Sequence, residues 1–148
     1  MHPNAYGVYK NNSVNFASKE QMLLMLLDGA VKFAKRGKLA IQEKDIKMAH
    51  NSITRTQDIF TELKVTLDTS AGEWAEQMFN IYSFINDRLL QANIKKDEAI
   101  MDEVIPLIEE VRNTWNEAYK LSIGQRWGEL TNDKNNRVSY RSWCRFNS

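Results

Sequence analysis

The residues with catalytic or metal-binding potential are few and poorly spaced for chemistry. The two histidines are His2 and His50, and the only cysteine is Cys144. A tetrahedral thiolate or imidazole site needs several such ligands to converge, and this chain is short of them. No Glu stands three residues before either histidine, so the Glu-x-x-His pairs of a di-metal helical bundle are missing as well. His50 falls among charged positions, where a solvated imidazole is expected. Cys144 has no orienting histidine near it, and neither a G-x-S-x-G turn nor a glycine-rich phosphate loop occurs. The adjacent carboxylates Glu109 and Glu110 belong to a polar helical face, where solvation rather than acid/base work is the expected role. These residue types point away from an enzyme, a cofactor and a metal, and towards a binding protein.

The elements that position the remaining residues are helical. Ser18 followed by Gln21 has the spacing of a capping box, in which each side chain satisfies a backbone N–H left unpaired in the first turn. It predicts a first helix over residues 19–43. Asp45 caps a second, whose stripe is Ile46, Ala49, Ile53, Phe60, Leu63 and Leu67. A further capping-box spacing, Ser70 to Glu73, opens a third helix with the stripe Trp74, Met78, Ile81, Ile85, Leu89 and Ala92. Asn93 is expected to close that helix in the left-handed conformation, and Asp97 to cap a fourth carrying Met101, Val104, Ile108, Val111, Trp115 and Ala118. Pro106 inside the fourth removes the bond to the Asp102 carbonyl and is expected to bend it. Matched lengths and short links predict an all-α fold, an antiparallel up-down four-helix bundle. Residues 1–17 read as an irregular N-terminal arm, 18–121 as the bundle and 122–148 as a loose basic C-terminal tail.

Composition bounds the rest. With 148 residues, 43% hydrophobic and 26% charged, the chain is an ordinary single globular domain. Its 20 basic and 19 acidic residues nearly cancel, so no global field favours nucleic acid or a membrane surface. The longest apolar run, Met22 to Leu27, is far short of the roughly 20 residues a spanning helix requires. A lone cysteine and an N-terminus without an apolar signal region predict a reducing cytoplasmic location. The stretch from Arg137 to Phe146 alternates cationic and aromatic residues, a pattern that can stack on single-stranded nucleic acid or sit at a membrane interface.

The informative anomaly is the same run, Met22-Leu23-Leu24-Met25-Leu26-Leu27. At about 100° per residue it goes right around a helix, more than one core-facing stripe can bury. With Leu26, Phe33 and Gly37 taken as the core side, Leu24, Leu27 and Val31 fall on an opposite flank; on the third helix Phe79, Phe84 and Leu90 point away from the inward stripe. Leu24, Leu27, Val31 and Phe84 are therefore the candidate lining of a groove for a partner helix. Cover by the arm or by a second copy of the chain explains the same excess. Gly29 and Gly37, each costing about 1 kcal/mol against alanine in a helix, are expected to admit a close neighbouring helix.

The blocks around these positions carry a resemblance. Tyr9-Lys10-Asn11-Asn12-Ser13-Val14, Ala17-Ser18, Leu24-Met25-Leu26-Leu27-Asp28-Gly29-Ala30 and Lys32-Phe33 resemble the opening signature of the flagellar export chaperone family FliS. Tyr82-Ser83-Phe84-Ile85, Arg88-Leu89 and Ala92-Asn93-Ile94-Lys95 resemble the end of its third helix, and Arg112-Asn113-Thr114-Trp115 a block in its fourth. The resemblance implies a cytoplasmic chaperone that binds the disordered C-terminal segment of flagellin, keeps flagellin from polymerising prematurely and helps deliver it to the flagellar export gate. It also implies that the arm, with Tyr9 and Val14, covers part of the groove until flagellin displaces it. Neither a nucleic acid nor membrane insertion is expected, and the oligomeric state expected is a monomer or weak homo-oligomer. The readings from another class are a nucleic-acid-binding regulator acting through the tail and a self-associating structural bundle. The chain departs from the family pattern at Leu27, where tyrosine is common, and at Lys19, where proline is common.

Overall fold

The computed structural model describes residues 19–131, with side chains over 19–123. Four helices follow one another: α1 (Lys19–Gln42), α2 (Ile46–Thr66), α3 (Glu73–Lys95) and α4 (Glu98–Thr131), with a 3-10 turn, Thr69–Ala71, between α2 and α3. The all-α bundle expected from the periodicity is the fold observed.

Each helix packs against two neighbours, giving the square α1–α2–α3–α4 closed by α1 on α4. Named pairs fix an antiparallel register at every side. Gly37 lies on Ile53 while Gly29 lies near Ile59. His50 Nδ1 is 3.2 Å from the Asn93 amide, and Thr61 accepts from Asn86 at 3.1 Å. Arg88 pairs with Glu103 at 2.8 Å, while Trp74, more than three turns earlier on α3, meets Trp115 edge-on. Asp28, Lys35 and Lys38 on α1 pair with Arg112, Glu109 and Asp102 on α4. Exposed ion pairs of this kind contribute little each, but they set alignment. The hydrogen bond to Asp102 holds the Lys38 ammonium above its ordinary range.

The links show which local signals won. Asp45 accepts from the Met48 backbone N–H, and Asp97 from that of Ala99, as their capping roles predict. The Ser70–Glu73 capping box does not form. Ser70 instead donates both its hydroxyl and its N–H to Asp68, which caps the 3-10 turn, and Gly72 precedes α3 with no side-chain cap. Asn93 is not left-handed: it is buried inside α3, bonded to His50 and Lys96, and Lys96 takes the left-handed position with φ 49°. Lys44, with φ 58°, does the same after α1, and in both turns an N–H reaches back five residues to a carbonyl, Asp45 to Ala40 and Asp97 to Ala92. Pro106 sits within α4 on an exposed position, where its missing N–H bond is tolerable. α4 continues past the expected end near residue 121 to Thr131. The arm, Ser18 of the expected first capping box, and residues 132–148, with Tyr9, Val14, His2, Cys144 and the cationic-aromatic stretch, lie outside the described residues.

The core is one cluster running through all four helices, with Leu27, Ile53, Phe60, Met78, Tyr82, Ile85, Leu89 and Ile108 among its largest members. Phe60 and Tyr82 rings meet at 5.8 Å, and the Trp115 indole N–H donates to the Tyr82 hydroxyl at 2.8 Å. The buried hydroxyl of Thr56 donates a hydrogen bond to the Ser52 carbonyl at 2.9 Å, so it enters the core satisfied.

Two glycines with the same sequence rationale separate here. A methyl group at Gly37 would come within 2.9 Å of Ile53 Cγ1, attached directly to a β-branched carbon whose rotamer is stiff in a helix, whereas at Gly29 it would meet only Ile59 Cδ1 at 3.6 Å. Gly37→Ala therefore sets a gain of about 1 kcal/mol in helix propensity against about 1–3 kcal/mol of overpacking, and lowers the melting temperature. Gly29→Ala, free of the clash, raises it; thermal melts of the two variants check the contrast.

Tyr82 gives a pH signature. Burial pushes its hydroxyl well above the ordinary value of 10.0, with the bond from Trp115 opposing in part. Above pH 10.0 the unfolded chain releases this proton while the folded chain keeps it, so stability falls as pH rises. Tyr82→Phe removes that part of the alkaline slope, and near neutrality costs about 1 kcal/mol through the lost bond. Urea melts of both proteins at neutral and alkaline pH measure it.

Candidate functional site

The four candidate groove residues divide. Leu27 is 0% exposed and Val31 4%, both in the central cluster; the placing of these two on an outer flank is corrected. The physical reason is that α1 has two neighbours. A helix seated between α2 and α4 buries a wide arc, and Leu27, Ala30, Val31 and Ala34 form its centre, while Leu26 and Phe33 sit half-buried on one edge. Leu24 is half-buried on the other edge, one turn before Asp28 and so beside α4.

Phe84 is 50% exposed. It lies one turn before Arg88, which holds Glu103 of α4, so Phe84 borders the α3/α4 side of the bundle. Leu24 and Phe84 thus flank α4 from opposite sides, and the structure does not bring them into a single groove. Phe79 is not free: the Lys64 ammonium stands 5.1 Å over its ring.

Leu90 is exposed with Phe84, as the stripe on α3 implies, and the structure adds Ile94, at 68% exposure. Ile94 escaped notice because it neighbours the polar end of the helix, where no apolar excess shows in a window of sequence. Met25 and Leu39 on α1, and Ile46, Met48 and Val65 on α2, are the other large exposed apolar residues among those described. No group of three or more His, Cys, Asp or Glu side chains among the described residues is placed to hold a metal, and none of the described helices is long and apolar enough to cross a membrane. The arrangement is a rigid helical scaffold with large side chains held out to solvent, which suits capture of another chain.

The family described as flagellar protein FliS matches residues 2–122, almost all of the bundle. The chain belongs to the FliS family. Its similarity to individual members is spread along the chain: 33% identity over 125 residues to the flagellar secretion chaperone FliS of Bacillus subtilis (strain 168), covering 84% of this chain and 93% of the relative. The FliS of Campylobacter jejuni subsp. jejuni serotype O:6 is 32% identical over 78% of this chain and 91% of its own length. That of Escherichia coli (strain K12) is 30% identical over 72% and 80%. Those relatives are chaperones by name, and the helical bundle described above is the scaffold this FliS chain brings to flagellar biogenesis.

Alanine variants separate scaffold from surface. Leu27→Ala costs about 2–5 kcal/mol of folding stability, through lost transfer energy and the cavity left behind. Phe84→Ala, at a half-exposed position, costs under about 1 kcal/mol. Chemical denaturation of the two variants tests this assignment, and equal losses would place Phe84 in the core.

Proposed function

We propose that this FliS-family chain is a cytoplasmic, non-enzymatic chaperone that captures the disordered C-terminal segment of flagellin, prevents premature polymerisation and escorts flagellin to the export gate. The observation that carries the reading is the solvent-exposed apolar face of α3, Phe84 with Leu90 and Ile94, on a bundle whose family relatives are named flagellar secretion chaperones. A disordered segment gains by burying its apolar residues there, and the entropy lost on ordering keeps the complex reversible. Leu24, on the far side of α4, is a second contact for a segment long enough to pass over that helix. Leu27 and Val31 act from beneath by fixing α1, without touching the partner.

Titration calorimetry with a flagellin C-terminal peptide tests the reading. The wild-type chain binds it; Phe84→Ala weakens binding about fivefold or more, equivalent to about 1 kcal/mol, while its melting temperature stays close to wild type. An apolar interface changes little between low and high salt, whereas phosphate binding weakens steeply. Absence of binding to the peptide, or binding indifferent to Phe84, overturns the assignment.

A further inference from the structure

The helix seams of the bundle treat charge in two ways. On the two sides of α4 every cation at the seam that makes an ion pair does so across helices: Lys35, Lys38 and Arg112 with carboxylates between α1 and α4, and Arg88 between α3 and α4. The α1/α2 seam is different. Arg36 and Arg55 have no carboxylate within 4.0 Å among the described residues, and Asp58, three residues on from Arg55, does not pair with it. Both guanidinium carbons instead stand over one half-buried ring, that of Phe33, at 5.5 and 5.3 Å from its centroid, one from each helix.

That cation–π contact uses no N–H donor, and both arginines are exposed, so their N–H groups remain open to solvent. A planar edge of this kind matches a carboxylate bidentately. The ring also restrains the two long side chains, so part of the ordering cost of binding is already met. One turn before Phe33 stands Gly29, where an added methyl group would find only ordinary contact. Internal packing does not require this glycine, although it costs about 1 kcal/mol of helix propensity, so its lack of a side chain suits an external backbone running close. Met25 at one end and Met48 at the other are both exposed, and methionine adapts to varied apolar partners. From Met25 to Arg36 the strip runs along roughly three turns of α1, about 16 Å.

We propose that the α1/α2 seam is a second docking surface, which seats an acidic, apolar-bearing segment of a partner protein with carboxylates on Arg36 and Arg55 and its backbone against Gly29. Charge complementarity selects the occupant. The two unpaired cations call for anions, and the methionines and Phe33 between them call for apolar side chains, which a phosphate backbone lacks. The full chain, with 20 Lys and Arg against 19 Asp and Glu, carries a net charge of only +1, which offers no field for a long polyanion. This surface lies across α1 from Leu24 and is separate from the exposed face of α3.

The test is a titration of the full chain, followed by nuclear magnetic resonance at the arginine Nε–H signals. The probe is a synthetic helical peptide of about 14 residues with Glu and Leu at helical spacing, compared with its Gln-for-Glu analogue. The acidic peptide is expected to shift the Arg36 and Arg55 signals and to bind about tenfold more tightly than the analogue, with the difference shrinking in high salt. Arg36→Gln with Arg55→Gln weakens it about tenfold, Arg36→Lys with Arg55→Lys by less, and Arg112→Gln leaves it unchanged. Gly29→Leu blocks it while the melting curve shows a folded bundle. Failure of the acidic peptide to bind, equal affinity for the neutral analogue, or indifference to both the arginine pair and Gly29→Leu overturns the proposal. So does tighter binding of a single-stranded oligonucleotide of equal charge, or a concentration-dependent mass showing that a second copy fills the seam.

Discussion

The seating of α1 between α2 and α4 is the constraint on which the other features depend. A helix with one neighbour needs one apolar stripe; a helix wedged between two needs an arc, and the apolar run beginning at Met22 supplies it. Ala30, Ala34 and Gly37 narrow the middle of that arc so that α2 can come close, with Ile53 filling the space where the Gly37 side chain would be. Once α1 is fixed, Phe60, Tyr82 and Leu89 close the centre from the other helices. What is left outside, on α1, α2 and α3, is apolar surface with no task in the fold.

The helices and two of their caps were legible in the sequence because they depend on neighbours three or four residues away. Asp45 and Asp97 act as caps as their positions imply. Choices between competing local signals were not legible. Asp68 reaches Ser70 before Ser70 can serve α3, and Asn93, a good left-handed residue in isolation, is worth more as a buried link to His50 on the adjacent helix. The left-handed position passes to Lys96, whose ammonium bonds the Asn93 carbonyl and side chain.

The outward placing of the candidate residues was legible for Phe84 and wrong for Leu27 and Val31, for a related reason. A helical wheel gives relative angles but not the direction of the core, and choosing Leu26, Phe33 and Gly37 as its centre rotated α1 far enough to turn Leu27 and Val31 outward. Phe84 was recoverable because α3 has a strong stripe of Met78, Ile85 and Leu89 that leaves no doubt about its inward face. Phe33 shows what no wheel reveals, since the second arginine on its ring comes from another helix.

The connectivity of the square bears on how the protein is made. Contacts of α1 with α2, α2 with α3 and α3 with α4 each join helices adjacent in the chain, and only the seam of α1 with α4 joins its two ends. The partners there, Asp28 with Arg112, Lys35 with Glu109 and Lys38 with Asp102, are far apart in sequence. A ribosome adds about 5–20 residues per second, so α1 emerges on the order of ten seconds before α4 is complete. Through that interval Val31, framed by Asp28 and Lys35, has no fourth helix over it. A member of the FliS family thus begins its own life as a nascent chain with its first helix half covered.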